Sequence, residues 1–190
     1  MNVSNTIFTS FDEHLNVANE TLNLEKSKIE VACNIINEAI LNGNKIILFG
    51  NGGSAADAQH IAAEFTGRFV LERKALPAIA LTTDTSALTA IGNDYGFDII
   101  FKRQVEALAN SGDVLIGITT SGNSKNVINA FFAGIEKNCK IICLSGKDGG
   151  KVKDLPVLNI IVPSTTTARI QEMHILIGHI FCTSVDLLFL

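Results

Sequence analysis

Hydrophobic positions along the 190-residue chain change their period several times, and each change marks a structural element. Residues 1–44 follow a helical period. Ile7, Phe11, Leu15, Ala18 and Leu22 recur at steps of three and four, and Val31, Ala32, Ile35, Ile36, Ala39 and Ile40 form a second apolar face ending near Gly43. Two helices are predicted here, with more apolar surface than one sheet can cover, which points to packing on another subunit. From residue 46 the pattern switches to short apolar runs at 46–49, 77–81, 114–118, 140–144 and 157–162, as expected of strands covered on both faces. Helical periods separate them: from Ser54 onward, a short helix ending near Gly92, 98–110, 125–137, and from Ala168 to the end. Residues 93–96 read as a tight turn. Strands alternating with helices predict an α/β protein, a three-layer αβα arrangement around a five-stranded parallel sheet. Residues 1–44 form its N-terminal helical segment and 45–190 the sheet domain, as one structural unit.

Composition narrows the class without naming a function. A 47% hydrophobic and 18% charged chain of this length can bury a full core. The net charge of −4 and the lack of a Lys/Arg run argue against a nucleic-acid groove. Cys33, Cys139, Cys143 and Cys182 include no CxxC pair, and no basic segment followed by an apolar core opens the chain. Reduced thiols and a cytoplasmic location are expected. The apolar C-terminal stretch is interrupted by His174, His179 and Asp186, so it reads as a buried helix and not a membrane span.

Two strand-loop-helix units carry candidate chemistry. In the first, Gly50-Asn51-Gly52-Gly53-Ser54 allows a tight reversal, with Ser54 expected to cap the helix that follows. Free N–H groups and the positive helix end there suit an anionic or polyhydroxyl ligand. The loop lacks the third glycine of a dinucleotide fingerprint and the lysine of a P-loop. Further along, His60 and Glu64 share a helix face, a pair able to hold a metal or move a proton, or to form a plain surface salt link. In the second unit, Thr119, Thr120, Ser121 and Ser124 place four hydroxyls within six residues at a strand end. Capping needs only one of them, so a phosphate seat is expected. Loops at the carboxyl ends of parallel strands meet in one crevice, so both units are expected to address one phosphorylated, polar molecule.

The last helix contains Gln171, Glu172, His174 and His179 in apolar surroundings, and at least one should face a site or a subunit contact. Ideal helix geometry pairs Glu172 with His179, seven residues on. His174 is expected to be a satisfied core histidine and His14 a solvated surface residue.

Gly50-Asn51-Gly52-Gly53-Ser54, Gly92-Asn93-Asp94-Tyr95-Gly96, Thr120-Ser121-Gly122-Asn123-Ser124, Gly146-Lys147-Asp148-Gly149-Gly150 and Arg169-Ile170-Gln171-Glu172, in this order, resemble the phosphoheptose isomerases, enzymes built on a sugar isomerase (SIS) domain. The resemblance spans nearly the whole chain. It implies conversion of D-sedoheptulose 7-phosphate to D-glycero-D-manno-heptose 7-phosphate, the first step towards the nucleotide-activated heptose of bacterial lipopolysaccharide or capsule. It also implies a homotetramer with active sites between subunits, and one zinc ion per subunit held by His60, Glu64, Gln171 and His179. Substrate binding falls to Asn51, Gly52, Gly53, Ser54, Glu64, Asn93, Asp94, Thr119, Thr120, Ser121, Ser124 and Gln171. Gln171 thereby replaces Glu172, the residue that ideal geometry preferred. An enediolate isomerisation needs a base and an acid, here Glu64 and His179. Some members carry an aspartate where this chain has Ala168, so any help from that carboxylate is missing. Other SIS proteins bind a replication initiator or sense sugar phosphates without turnover, and others isomerise related sugar phosphates. Retention of the whole quartet favours catalysis.

Overall fold

A computed structural model describes residues 2–190. Its first element is one helix, α1 (Val3–Leu41), 39 residues long and so roughly 58 Å from end to end. The two expected helices are therefore one. No glycine or proline lies between residues 3 and 41 to break the chain. The two apolar stripes also part company. Ile29, Ala32, Ile36, Ala39 and Ile40 are buried against the body, whereas Ile7, Phe11, Leu15 and Leu22 are exposed. Val31, placed on the buried face by its spacing, is exposed as well.

The sheet comprises β1 (Ile46–Gly50), β2 (Ala78–Ala80), β3 (Val114–Thr119), β4 (Lys140–Gly146) and β5 (Leu158–Val162), all parallel in the order β2-β1-β3-β4-β5. Alternate strand residues feed two cores, so the expected three layers form. Ile46, Leu48, Ile116, Leu144 and Ile160 meet α1, α2 (Gly53–Thr66) and α6 (Thr167–Asp186) on one face. Ile47, Phe49, Leu115 and Cys143 meet α4 (Ile100–Leu108) and α5 (Lys125–Glu136) on the other. Phe49 joins that second core through ring contacts to Phe101 at 5.4 Å and Phe131 at 5.8 Å.

Between β2 and α4, α3 (Thr85–Tyr95) starts where Asp84 accepts from the Ala87 N–H at 2.9 Å. It runs on through Asn93, Asp94 and Tyr95, which were expected to form a turn, and ends at Gly96 with φ +90°. Gly92 sits inside the helix at a cost of about 1 kcal/mol relative to alanine.

The C-terminal stretch is the buried helix expected. Thr167–Phe189 is long and apolar enough to cross a membrane, yet Ile170, Met173, Ile177, Phe181 and Val185 are buried in the fold against α1 and α2. All four cysteines are free, with Cys143 and Cys182 in the core.

Candidate active site

The strand order reverses direction between β1 and β3, and the crevice at such a switch point is where parallel sheets bind ligands. Gly50 pairs with Ile118 there, so the loops leaving the two strands start side by side. They are tied together by two reciprocal amide bonds. Asn51 Nδ2 donates to Asn126 Oδ1 at 2.9 Å, and Asn126 Nδ2 donates to Asn51 Oδ1 at 2.8 Å. Beside Asn51 opens a cavity of about 440 Å³, bounded by Gly52, Ala55 and Thr82 and roofed by Leu88, Thr89 and Gly92 of α3. The two loops thus start side by side, but this cavity is lined from the first unit and from α3 and α4, and the Thr119–Ser124 loop does not border it.

The start of α2 departs from expectation. Gly52, with φ +57°, occupies the cap position and no side chain bonds the first turn. Ser54 lies inside the helix and is buried, and the Ser54, Ala55 and Ala56 N–H groups donate to the Asn51 and Gly52 carbonyls, so the loop backbone and not a side chain closes this helix end. In the second loop, the Thr119 and Ser124 hydroxyls meet at 3.0 Å, and Ser121 Oγ accepts from the Asn123 N–H at 3.2 Å. Ser124 occupies the cap of α5, but its side chain does not bond the first turn. Thr119 is buried at the end of β3. The hydroxyls line up the loop, and at the helix start the Val127 N–H is taken by Asn126 Oδ1 at 3.0 Å, which leaves the Lys125 and Asn126 N–H groups open.

Gly122 and Gly150 explain how that loop keeps its shape. Both have positive φ, +64° and +51°. A Cβ on Gly122 would overlap the Gly149 carbonyl, and one on Gly150 would overlap the Ser121 carbonyl. The Gly146–Gly150 connection therefore lies backbone against backbone on the Thr119–Ser124 loop, and Val152 N–H donates to the Gly122 carbonyl at 3.2 Å. The sequence showed both glycine clusters without showing that they touch.

On α2, His60 and Glu64 face the same way, with His60 Nε2 3.5 Å from Glu64 Oε1. From α6, His179 brings its Nε2 to 2.9 Å from His60 Nε2. Three donors of nitrogen and oxygen character, the set zinc prefers, thus gather from two helices. As they stand, no three His, Cys, Asp or Glu side chains among the described residues are placed to hold a metal ion. Two nitrogens on one tetrahedral zinc stand about 3.3 Å apart, so the rings would need to part by only a few tenths of an ångström. The donor types are those zinc takes, while their spacing would have to open to receive it. Gln171 lies with its carboxamide over Gly53, close enough that any side chain at position 53 would displace it. Gln171 therefore packs α6 against the glycine loop.

Several expected roles are redistributed. Glu172 does not meet His179. Its carboxylate takes His14 Nδ1 at 2.8 Å and Arg169 Nη2 at 2.5 Å, which anchors the first third of α1 to α6. His14 is accordingly partnered, although its side chain stays partly exposed at the surface as expected. Burial raises the Glu172 carboxyl, but the bonds from His14 and Arg169 outweigh it and hold the group below its ordinary value. His174 is the core histidine expected, bonded through Nε2 to the Ser145 carbonyl at 2.9 Å, with Nδ1 unpartnered. Asn93 and Asp94 bond each other at 2.9 Å on the exposed side of α3 and do not line the cavity.

Asp57, one turn before His60, was not singled out by its sequence. Its carboxyl is raised by burial, against the opposing pull of His60, and Oδ2 has no hydrogen-bond partner. Phe69 was missed too, although its ring stacks on His179 at 5.3 Å and 25°. Asp57 could have been found from helical spacing, three residues before His60 and seven before Glu64 on α2, whereas Phe69 lies on an irregular segment that no periodicity marks.

The chain matches the SIS domain family over residues 10–146. It is 56% identical over 184 residues to the phosphoheptose isomerase of Aliarcobacter butzleri, with 97% of each chain covered. It superposes on the phosphoheptose isomerase of Neisseria gonorrhoeae with a TM-score of 0.92 at 46% identity, covering 97% of this chain and 99% of that one. For the phosphoheptose isomerase of Francisella tularensis the TM-score is 0.94 at 38% identity, covering 98% and 99%. Sequence and fold agree along essentially the whole length: the chain belongs to the phosphoheptose isomerase family of SIS-domain proteins.

Proposed function

We propose that the protein isomerises D-sedoheptulose 7-phosphate to D-glycero-D-manno-heptose 7-phosphate. The observation that supports it most directly is the convergence of His60, Glu64 and His179 from two helices, in a chain so similar to named phosphoheptose isomerases. The phosphate sits at the open N-terminus of α5, among Thr119, Thr120, Ser121 and Ser124, where backbone N–H groups and the helix dipole favour an anion. Binding energy there fixes the sugar away from the reacting carbons. Asn51, Gly52, Gly53 and Gln171 hold the hydroxyls, and in the assembled oligomer Asn93 and Asp94 complete the contacts.

Glu64 takes a proton from C1 of the ketose, giving an enediolate, and returns it to C2. His179 moves the other proton, from O1 to O2, so that the carbonyl passes from C2 to C1 and no atom is gained or lost. Glu64 Oε1 faces His60, which leaves its other oxygen to the carbon-bound proton. A zinc ion held by His60, Glu64, Gln171 and His179 would, when bound, supply Lewis-acid polarisation of the two substrate oxygens.

The exposed apolar stripe of α1, including Ile7, Phe8, Phe11 and Leu15, supports a homotetramer in which α1 packs on neighbouring copies. The reaction would be cytoplasmic and would open the route to nucleotide-activated heptose for lipopolysaccharide or capsule. The test is turnover of sedoheptulose 7-phosphate, followed as aldose formation before and after chelation and with zinc restored. Chelator-sensitive turnover supports the whole reading, and turnover indifferent to chelation removes the metal alone. No turnover by a folded, zinc-loaded oligomer rejects this substrate, and failure of a panel of sugar phosphates leaves a binding protein.

A further inference from the structure

Between α2 and β2, residues 67–76 form neither helix nor strand, yet they are tied down more firmly than an ordinary loop. The tie is a buried ion pair. Arg73 Nε donates to Asp186 Oδ1 at 2.8 Å, with side-chain exposures of only 1% and 3%. Asp186 Oδ2 accepts from the N–H groups of Val70 at 2.9 Å and Leu71 at 3.0 Å. The rest of the guanidinium closes the end of α2, with Nη2 donating to the Glu64 carbonyl at 2.7 Å and Nη1 to the Phe65 carbonyl at 3.0 Å.

These bonds have a common geometric effect. A buried ion pair adds little net stability, because desolvation offsets its attraction, but its oriented bonds fix the parts that carry it. Here those parts are the last turn of α2, at the carbonyls of Glu64 and Phe65, and a carboxylate two turns beyond His179 on α6. One guanidinium therefore sets the helix carrying His60 and Glu64 against the helix carrying Gln171 and His179. The same carboxylate pins Val70 and Leu71, immediately after Phe69. Phe69 lies flat on the His179 ring at 5.3 Å and 25°, and His60 meets that ring edge-on at 5.2 Å and 67°.

We infer that residues 67–76 are a strap that orients His179, with Phe69 as the positioning residue in contact with its ring and the Arg73–Asp186 pair as the clamp. The flat Phe69 face blocks rotation of the imidazole about its last side-chain torsion, so Nε2 stays aimed at His60 and at the substrate oxygens. Phe69 itself takes no part in proton transfer. The inference rests on the isomerase reading for the role of His179, but not for the geometry.

The test compares Phe69→Leu, which keeps apolar cover but loses the flat ring, with Phe69→Tyr, which keeps it. Phe69→Leu is expected to lower kcat on sedoheptulose 7-phosphate about 10-fold with KM and melting temperature little changed, and Phe69→Tyr to restore kcat. Crystal structures of the wild type and Phe69→Leu supply a readout independent of substrate: the His179 ring is expected to turn or to lose its single orientation. An unturned ring in Phe69→Leu overturns the inference, as does a loss of kcat that Phe69→Tyr fails to restore. A wild type inactive on this sugar rejects the proposed substrate and leaves the crystallographic comparison to decide the strap.

Discussion

His60 and His179 face each other through their Nε2 atoms across 2.9 Å, one from α2 and one from α6. Two neutral imidazoles can share this distance only with one donating and one accepting, whereas both can accept when a cation stands beside them. Glu64, 3.5 Å from His60, supplies the negative charge such a cation would need. The protein is therefore expected to bind one zinc ion per chain. His60→Ala and His179→Ala should each weaken binding by roughly 100-fold or more, since each removes a direct ligand. Competition with a chromogenic chelator measures this. Wild-type binding no tighter than that of the variants would remove the metal and leave an acid-base pair.

Glu64 separates chemistry from binding. Glu64→Gln preserves size and hydrogen bonding but cannot accept a proton, so turnover should fall roughly 1,000-fold. Affinity for inorganic phosphate should stay within about 3-fold, because the loop proposed to seat the phosphate joins β3 to α5 and does not belong to α2. Titration calorimetry with phosphate, alongside initial rates, checks both. Parallel losses of rate and phosphate binding would show that Glu64 is structural.

Gly150 offers the complementary test at the other end of the substrate. Its φ of +51° disfavours any L side chain, and an added methyl would collide with the Ser121 carbonyl. Gly150→Ala must push the Thr119–Ser124 loop aside, costing about 1–3 kcal/mol of stability. KM is expected to rise about 10-fold with a smaller change in kcat, since anchoring and not proton transfer is disturbed. An unchanged KM, with the melting temperature lowered, would place the phosphate elsewhere.

Phe8 and Phe11 are 70% and 68% exposed on one side of α1. Burying such rings contributes about 1.5–3 kcal/mol each, and this chain alone leaves them in water. Phe8→Glu with Phe11→Glu should therefore convert the oligomer to smaller species without unfolding the sheet domain, whose core lies elsewhere. Light scattering and circular dichroism read the two effects separately. A wild type that is monomeric at micromolar concentration would dispose of the stripe as an interface.

The sheet was legible because its strands are short apolar runs bounded by glycine and polar residues, and burial on both faces leaves such runs little alternative. The α1 boundary was misread because two apolar stripes look like two helices. Only the absence of a glycine or proline between them says otherwise. His60 with Glu64 was readable from helical spacing, and the Thr119 to Ser124 hydroxyls from their density. The partner of Glu172 was not readable, because His14 lies 158 positions away in sequence. Helix periodicity states which residues share a face but not which neighbour that face meets. The Gly150 contact with Ser121 and the Phe69 stack on His179 are tertiary in the same sense.

His174 makes stability itself depend on pH. Its ring is fully buried, Nε2–H donates to the Ser145 carbonyl and Nδ1 has no partner, so burial lowers its pKa from 6.5 to about 4 in the folded protein. Above pH 6.5 the ring is neutral whether the chain is folded or not, and contributes no pH dependence. As pH falls from 6.5 to about 4, the unfolded chain takes up the proton and the folded one does not, so stability is lost across that window. The loss is on the order of 3 kcal/mol at its limit. His174→Gln keeps a donor for Ser145 and has nothing to titrate. Urea unfolding of both proteins between pH 7 and 4.5 should give curves that converge as pH falls, the wild type losing stability faster. Parallel curves would mean that the buried ring is as easily protonated folded as unfolded, and that the orphaned Nδ1 has found a partner in solution.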